Sequence, residues 1–159
     1  MFLLRFLPHF LGKLRQAGAA TLLSLPLVAS AAQPVAKPVI EVYKTEYCGC
    51  CKEWIKHLEA NGFQVKAQNV ANPSDYREKF GIPAEYGSCH TGRVGGYAVE
   101  GHVPASDIKR LLAEKPTARG LAVPGMPMGS PGMEGSRKDP YEVLLVKDGG
   151  KTSVYKRYE

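Results

Sequence analysis

Val39-Ile40-Glu41-Val42-Tyr43-Lys44-Thr45-Glu46-Tyr47-Cys48-Gly49-Cys50-Cys51-Lys52-Glu53-Trp54-Ile55-Lys56-His57-Leu58 is the stretch whose reading decides the fold of this chain. Its first five residues form a β-branched run of strand length. After the cysteines, Cys51, Trp54, Ile55 and Leu58 recur at i, i+3, i+4, i+7, and Asn61-Gly62 supplies a stop, so the spacing predicts an amphipathic helix. Phe63, Val65 and Ala67 then alternate with polar residues as in a half-buried strand. A strand, a helix and a second strand in succession make a βαβ unit, which forces a parallel pair.

Downstream, Asn72-Pro73 offers a cap and a first-turn proline for a helix ending at Phe80-Gly81. His90–Val94 and Tyr97–Glu100 flank Gly95-Gly96, a dipeptide suited to a tight hairpin turn. Pro104 opens a third helix, with Ile108, Leu111 and Leu112 on one apolar face. The predicted order, β-α-β-α-β-β-α, is that of an α/β, thioredoxin-like core with a small mixed sheet. Residues 116–140 are Gly/Pro-rich and unpatterned. Tyr141–Val146 and Thr152–Tyr155, joined by Asp148-Gly149-Gly150, read as a terminal hairpin that the core fold lacks.

Upstream, Arg5, Lys13 and Arg15 precede the apolar run Ala17–Val28 and the pattern Ala29-Ser30-Ala31. That is the form of a signal peptide over residues 1–31, cleaved on export. The run is short for a spanning helix, which needs roughly 20 apolar residues, and it contains Pro26, so no membrane association is expected after cleavage. Residues 32–38 read as a tether and 39–159 as one domain whose extension covers 116–159. Of the whole-chain charge of +6, three cations belong to the leader, and the remaining +3 is too balanced to argue for a nucleic-acid partner.

All four cysteines, Cys48, Cys50, Cys51 and Cys89, lie downstream of the leader. Cys48-Gly49-Cys50-Cys51 stands where the first strand hands over to the first helix, and there unpaired N–H groups and the dipole favour thiolate over thiol. Cys48 and Cys51 have a redox spacing and are the candidates for redox chemistry, but Cys50 is a third sulfur that a simple exchanger does not need. Three neighbouring thiolates repel one another unless cations hold them, and soft thiolates select Cu(I), zinc or iron–sulfur centres. Adjacent cysteines would more naturally bridge several ions than chelate one zinc. In the predicted order the start of the third strand lies beside the helix-opening loop, so Cys89 is expected to face the cluster with His90 beside it. His90 is read equally as a ligand and as an ordinary strand histidine.

Pro124-Gly125-Met126-Pro127-Met128-Gly129-Ser130-Pro131-Gly132-Met133 holds every methionine after the leader. A run without helical or strand periodicity explains core-filling methionines poorly, and thioether sulfur points to Cu(I) over harder ions. Met126 and Met133 are taken as candidate ligands, with packing of the loop on the domain as the alternative. His102, before Val103-Pro104, is read first as structural, His57 as solvated on the polar side of its helix, and Trp54 as core.

These residues resemble the periplasmic copper-resistance proteins of the CopG type, once classed as a domain of unknown function. The similarity runs through Tyr47-Cys48-Gly49-Cys50-Cys51, Ser88-Cys89-His90-Thr91, Gly96-Tyr97-Ala98-Val99-Glu100-Gly101-His102-Val103-Pro104 and residues 120–134. The resemblance implies a thioredoxin-like fold, a periplasmic location, a copper cluster bridged by Cys48, Cys50, Cys51 and Cys89, a role in copper tolerance, and interconversion of Cu(I) and Cu(II). Expected partners are copper ions and other periplasmic copper-handling proteins. An oxidoreductase activity, copper-dependent or through thiols, is left open. The competing readings are thiol–disulfide exchange through Cys48 and Cys51, and a binding module with two structural disulfides.

Overall fold

The computed structural model describes residues 36–159. The expected signal peptide, and the tether up to residue 35, lie outside the described residues; Ala36, Lys37 and Pro38 are exposed and belong to no element. The order is β1 (Val39–Lys44), α1 (Gly49–Ala60), β2 (Gln64–Asn69), α2 (Pro73–Lys79), β3 (His90–Val94), β4 (Tyr97–Glu100), α3 (Ala105–Glu114), β5 (Gly120–Ala122), β6 (Tyr141–Val146) and β7 (Thr152–Tyr158). Among the described residues no helix is long and apolar enough to cross a membrane.

Seven strands form one mixed sheet in the order β2-β1-β3-β4-β5-β6-β7. β1 and β2 run parallel, as the α1 crossover requires, while β1 with β3 and β3 with β4 are antiparallel. The β3–β4 turn falls on Gly95-Gly96 as expected. At α2, the Asn72 side chain accepts the Ser74 N–H and Pro73 occupies the first turn, so the sequence signal for a helix start works locally. β2 lies at the sheet edge, and Ala67 there is exposed although Phe63, just before the strand, is buried.

Two apolar clusters cover the two faces. Ile40, Val42, Trp54, Leu58, Val99, Ile108, Leu111 and Leu121 belong to the larger, and Ile82, Ala98, Ala122 and Val146 to the smaller, with Phe80 and Tyr86 packed on it. Adjacent residues go to opposite clusters, Ala98 against Val99 and Leu121 against Ala122, which is the alternation a strand imposes.

The segment 116–140 departs from the expectation of an unpatterned connection, because Gly120–Ala122 forms β5, parallel to β4 and antiparallel to β6. Three residues are too few for periodicity to register. The terminal hairpin is therefore continuous with the sheet. Gly120 makes this possible, since a Cβ at that position would run into the backbone of Ala98. Replacement of Gly120 by Ala is expected to lower stability by about 1–3 kcal/mol through overpacking. Urea unfolding would read the loss, and faster amide exchange in β6 and β7 would show that the hairpin has left its seat.

Candidate metal centre

Cys48 is the N-cap of α1, and its sulfur accepts the Cys51 N–H at 3.3 Å. A sulfur thus occupies the place where a helix start more usually takes an oxygen acceptor, at the electropositive end of the dipole. Cys48 and Cys51 are joined as a disulfide with Cα atoms 5.3 Å apart, while Cys50 and Cys89 are free thiols. The sulfur of Cys50 is 3.6 Å from that of Cys48 and 3.6 Å from that of Cys89, and Cys89 is also 3.6 Å from Cys51. All four sulfurs lie within 4.8 Å of one another.

The ladder explains the convergence. Lys44, the last residue of β1, pairs with His90, the first of β3, so the turn that follows β1 and the residue that precedes β3 meet at one sheet end. Counting back from the Gly95-Gly96 turn, Thr91 opposes Glu100, and two steps further Cys89 comes opposite His102. His102 is indeed there, fully buried, with Nε2 3.3 Å from the Cys89 sulfur. His90 Nδ1 lies 3.4 Å from the same sulfur. Cys89, His90 and His102 thus make a second group of donors that shares Cys89 with the first.

His102 reads from the sequence first as a structural histidine within reach of the cleft, and the register of the hairpin is the signal that promotes it to a residue facing Cys89. Its Nδ1 is 2.8 Å from the Pro131 carbonyl, to which it donates, and this leaves the Nε2 lone pair toward Cys89. His57 also departs from expectation. It is not merely solvated: its Nε2 accepts the Ala105 N–H at 3.1 Å and caps α3, whose N-cap residue Pro104 has no side-chain acceptor. Trp54 is core, as expected; its ring lies tilted against that of His90, with centroids 4.3 Å apart, while its Nε1 donates to the Val103 carbonyl at 2.9 Å.

Burial sets the charge of these groups. It brings His90 down to about 3, with the neighbouring His102 adding to the effect, and it lowers His102 too. Both imidazoles are therefore neutral lone-pair donors. The Cys89 thiol is pushed up to about 12, by burial first and then by Cys50. Cys89 is not part of the α1 start and lacks that helix's N–H groups, so these do not offset its burial in the absence of a cation; a cation there would favour loss of the proton. His90 Nε2 is buried without a hydrogen-bond partner.

The methionine segment is strapped to the same place by its backbone. Gly125 donates to the Gly87 carbonyl at 3.0 Å, and the Ser88 hydroxyl donates to the Gly125 carbonyl. Gly132, at φ +85°, lies so close to α1 that a Cβ would stand 2.7 Å from the Cys50 carbonyl and 2.7 Å from the Trp54 nitrogen. Met126 and Met133 each follow one of these anchored glycines. Of the predicted donors, then, the four cysteines and His90 converge, whereas Met126 remains 51% exposed and is brought near only through Gly125. Met128 packs its methyl group at Gly135 instead.

A family model described as "Protein of unknown function, DUF411" matches residues 86–133, a span that holds Cys89, His90, His102 and the methionine segment. A solved structure of copper resistance protein CopG, form 2, is 50% identical and superposes with a TM-score of 0.74, over 77% of this chain and 99% of that one. Form 1 of the same protein is 51% identical with a TM-score of 0.72, over 77% and 98%. No curated protein matches the chain.

The buried histidines give the metal-free protein a defined pH response. A histidine whose folded value is lowered binds its proton less well folded than unfolded, so the stability it contributes is present above about 6.5 and is lost as pH falls toward the folded value. Urea unfolding of metal-free protein at pH 7.5, 6 and 5 is expected to show falling stability, and His90→Phe to make that fall shallower, because His90 does not protonate in the fold until about 3.

Proposed function

The chain belongs to the family of the copper resistance protein CopG, and from that membership we propose that it holds copper in the cell envelope as several Cu(I) ions bridged by Cys48, Cys50, Cys51 and Cys89. The observation that carries the reading is the convergence of four sulfurs within 4.8 Å at one helix mouth. Ligand sulfurs sharing one ion at about 2.3 Å and a tetrahedral angle stand about 3.8 Å apart, near the 3.6 Å separations found here. Soft sulfur selects Cu(I), and His90 and His102 add borderline nitrogen donors that also suit Cu(II). This mixture supports an interconversion of Cu(I) and Cu(II) in the service of copper tolerance. Met126 and Met133 complete the donor set from the strapped segment.

The copper-holding form is the reduced one, because the Cys48–Cys51 disulfide withdraws two of the four sulfurs. Export behind the leader to the periplasm accords with this chemistry, as does delivery to or from other copper-handling proteins there. The strand order β2-β1-β3-β4 with the β-α-β-α-β-β-α succession supports a thioredoxin-like description of the first half. One observation favours a second reading, thiol–disulfide exchange: Cys48 and Cys51 are joined across the redox spacing.

Competition titration of the reduced protein with Cu(I) and a chelator separates the two. Tight binding of more than one ion is expected, with most of it lost in the Cys48→Ser, Cys50→Ser, Cys51→Ser triple variant and part of it in Cys89→Ser. Undiminished binding in the triple variant would sink the copper reading. Disulfide reductase turnover by metal-free protein, unaffected by Met126→Leu and Met133→Leu, would establish the exchange reading in its place.

A further inference from the structure

Glu100 has no solvent exposure and takes no part in the donor set proposed above. A buried carboxylate is costly unless its oxygens are satisfied, so its partners indicate what it is kept for. Oε1 accepts the Ser88 N–H at 2.7 Å, and Oε2 accepts the Thr91 hydroxyl at 2.6 Å. The Arg77 guanidinium stands 3.7 Å from Oε1 as the counter-charge.

Ser88 and Thr91 bracket Cys89 and His90 in the chain. One carboxylate on β4 therefore grips both ends of a four-residue stretch whose two middle members carry a thiol and an imidazole of the site. The strand that bears the carboxylate is itself fixed on both sides: the Glu100 carbonyl accepts the Val123 N–H at 3.0 Å, and the next residue, Gly101, donates to the His90 carbonyl at 3.1 Å. Cys89 has no such support. The paired residues of β3 end at His90 toward β1 and at Thr91 toward β4, so Cys89 lies beyond the ladder.

From this we infer that Glu100 is a positioning residue of the metal site: its carboxylate clamps Ser88 and Thr91 and thereby holds the Cys89 sulfur against those of Cys50 and Cys51. Partners that orient ligands from behind govern metal affinity nearly as much as the ligands do. The metal readout of this inference rests on the copper-holding role proposed above, whereas the thiol readout does not.

The test uses purified, reduced protein. In metal-free samples, iodoacetamide alkylation followed by peptide mass spectrometry gives the rate at Cys89 relative to Cys50 in the same molecule, and thermal unfolding is followed in parallel. Glu100→Ala is expected to change the Cys89 to Cys50 ratio several-fold and to weaken Cu(I) binding about 10–100-fold. Glu100→Gln keeps an acceptor for the Ser88 N–H and is expected to restore most of both; Thr91→Val removes one grip at nearly constant shape and is expected to fall between. Should Glu100→Ala fail to fold, these two variants decide the matter. A lowered melting temperature with the alkylation ratio unchanged in every folded variant would make Glu100 an ordinary strut and overturn the inference. So would an altered ratio with Cu(I) affinity intact. If the unaltered protein takes up no Cu(I), the copper reading fails, and the alkylation ratio alone still decides whether Glu100 positions Cys89.

Discussion

Four residue pairs, from Glu41 with Arg93 to Lys44 with His90, join β1 to β3 and set where everything at the site can be. Cys48, Cys50 and Cys51 follow the end of β1 by a few residues, and Cys89 precedes β3 by one. Nothing local brings these positions together; the sulfurs of Cys50 and Cys89 approach to 3.6 Å across a sequence separation of 39 because an antiparallel ladder ends there. A slip of one residue in this register would turn the inward-facing side chains of β3 outward and carry Cys89 away from the helix mouth. The apolar faces of β1 and β4, where Ile40, Val42 and Val99 are fully buried, make such a slip expensive.

The polar groups behind the cysteines show how a protein can keep such a place in order. His90, His102, Thr91 and Glu100 are all fully buried, a concentration of polarity that an apolar core would not hold without internal partners. Glu100 binds Ser88 and Thr91, and His102 binds the Pro131 carbonyl. What burial does to their charge is equally relevant. Imidazoles that stay neutral in the fold keep a lone pair free, and thiols that resist ionisation alone give up their proton more readily to a cation. The site thus resists a second proton on either imidazole and, without a cation, resists loss of the proton from Cys89.

The C-terminal part of the chain is fastened to this place rather than appended to it. β5 joins the hairpin β6–β7 to the sheet, and the connection between β5 and β6 passes over the mouth of α1, tied at Gly125, Pro131 and Gly132. Proline and glycine suit this segment because its course is set by contacts to its surroundings and by turn bonds of its own, such as Met133 N–H to the Ser130 carbonyl, and not by a helical or strand ladder. Those anchors fix the backbone immediately before Met126 and Met133.

What the sequence by itself determined was the succession of elements and the chemistry gathered in the C-x-C-C turn. The helical periodicity of α1, the Asn72-Pro73 start and the Gly95-Gly96 turn each act within a few residues, and the fold kept them, whereas the alternation Phe63, Val65, Ala67 gave way at the exposed sheet edge. Cys89 was placed correctly because the expected strand order carried it to the helix mouth. The tertiary structure decided the rest, for reasons of range. β5 is three residues long and exists only because Gly120 lets it approach Ala98. His57 became a cap for α3 because the first residue of α3, Ala105, meets α1 there and offers an N–H with no acceptor in its own helix. The hairpin register sets His102 opposite Cys89, but it is a carbonyl from residue 131 that holds Nδ1 and so turns Nε2 toward the sulfur. Each of these depends on an atom far away in the chain, and local patterning carries no record of such a neighbour.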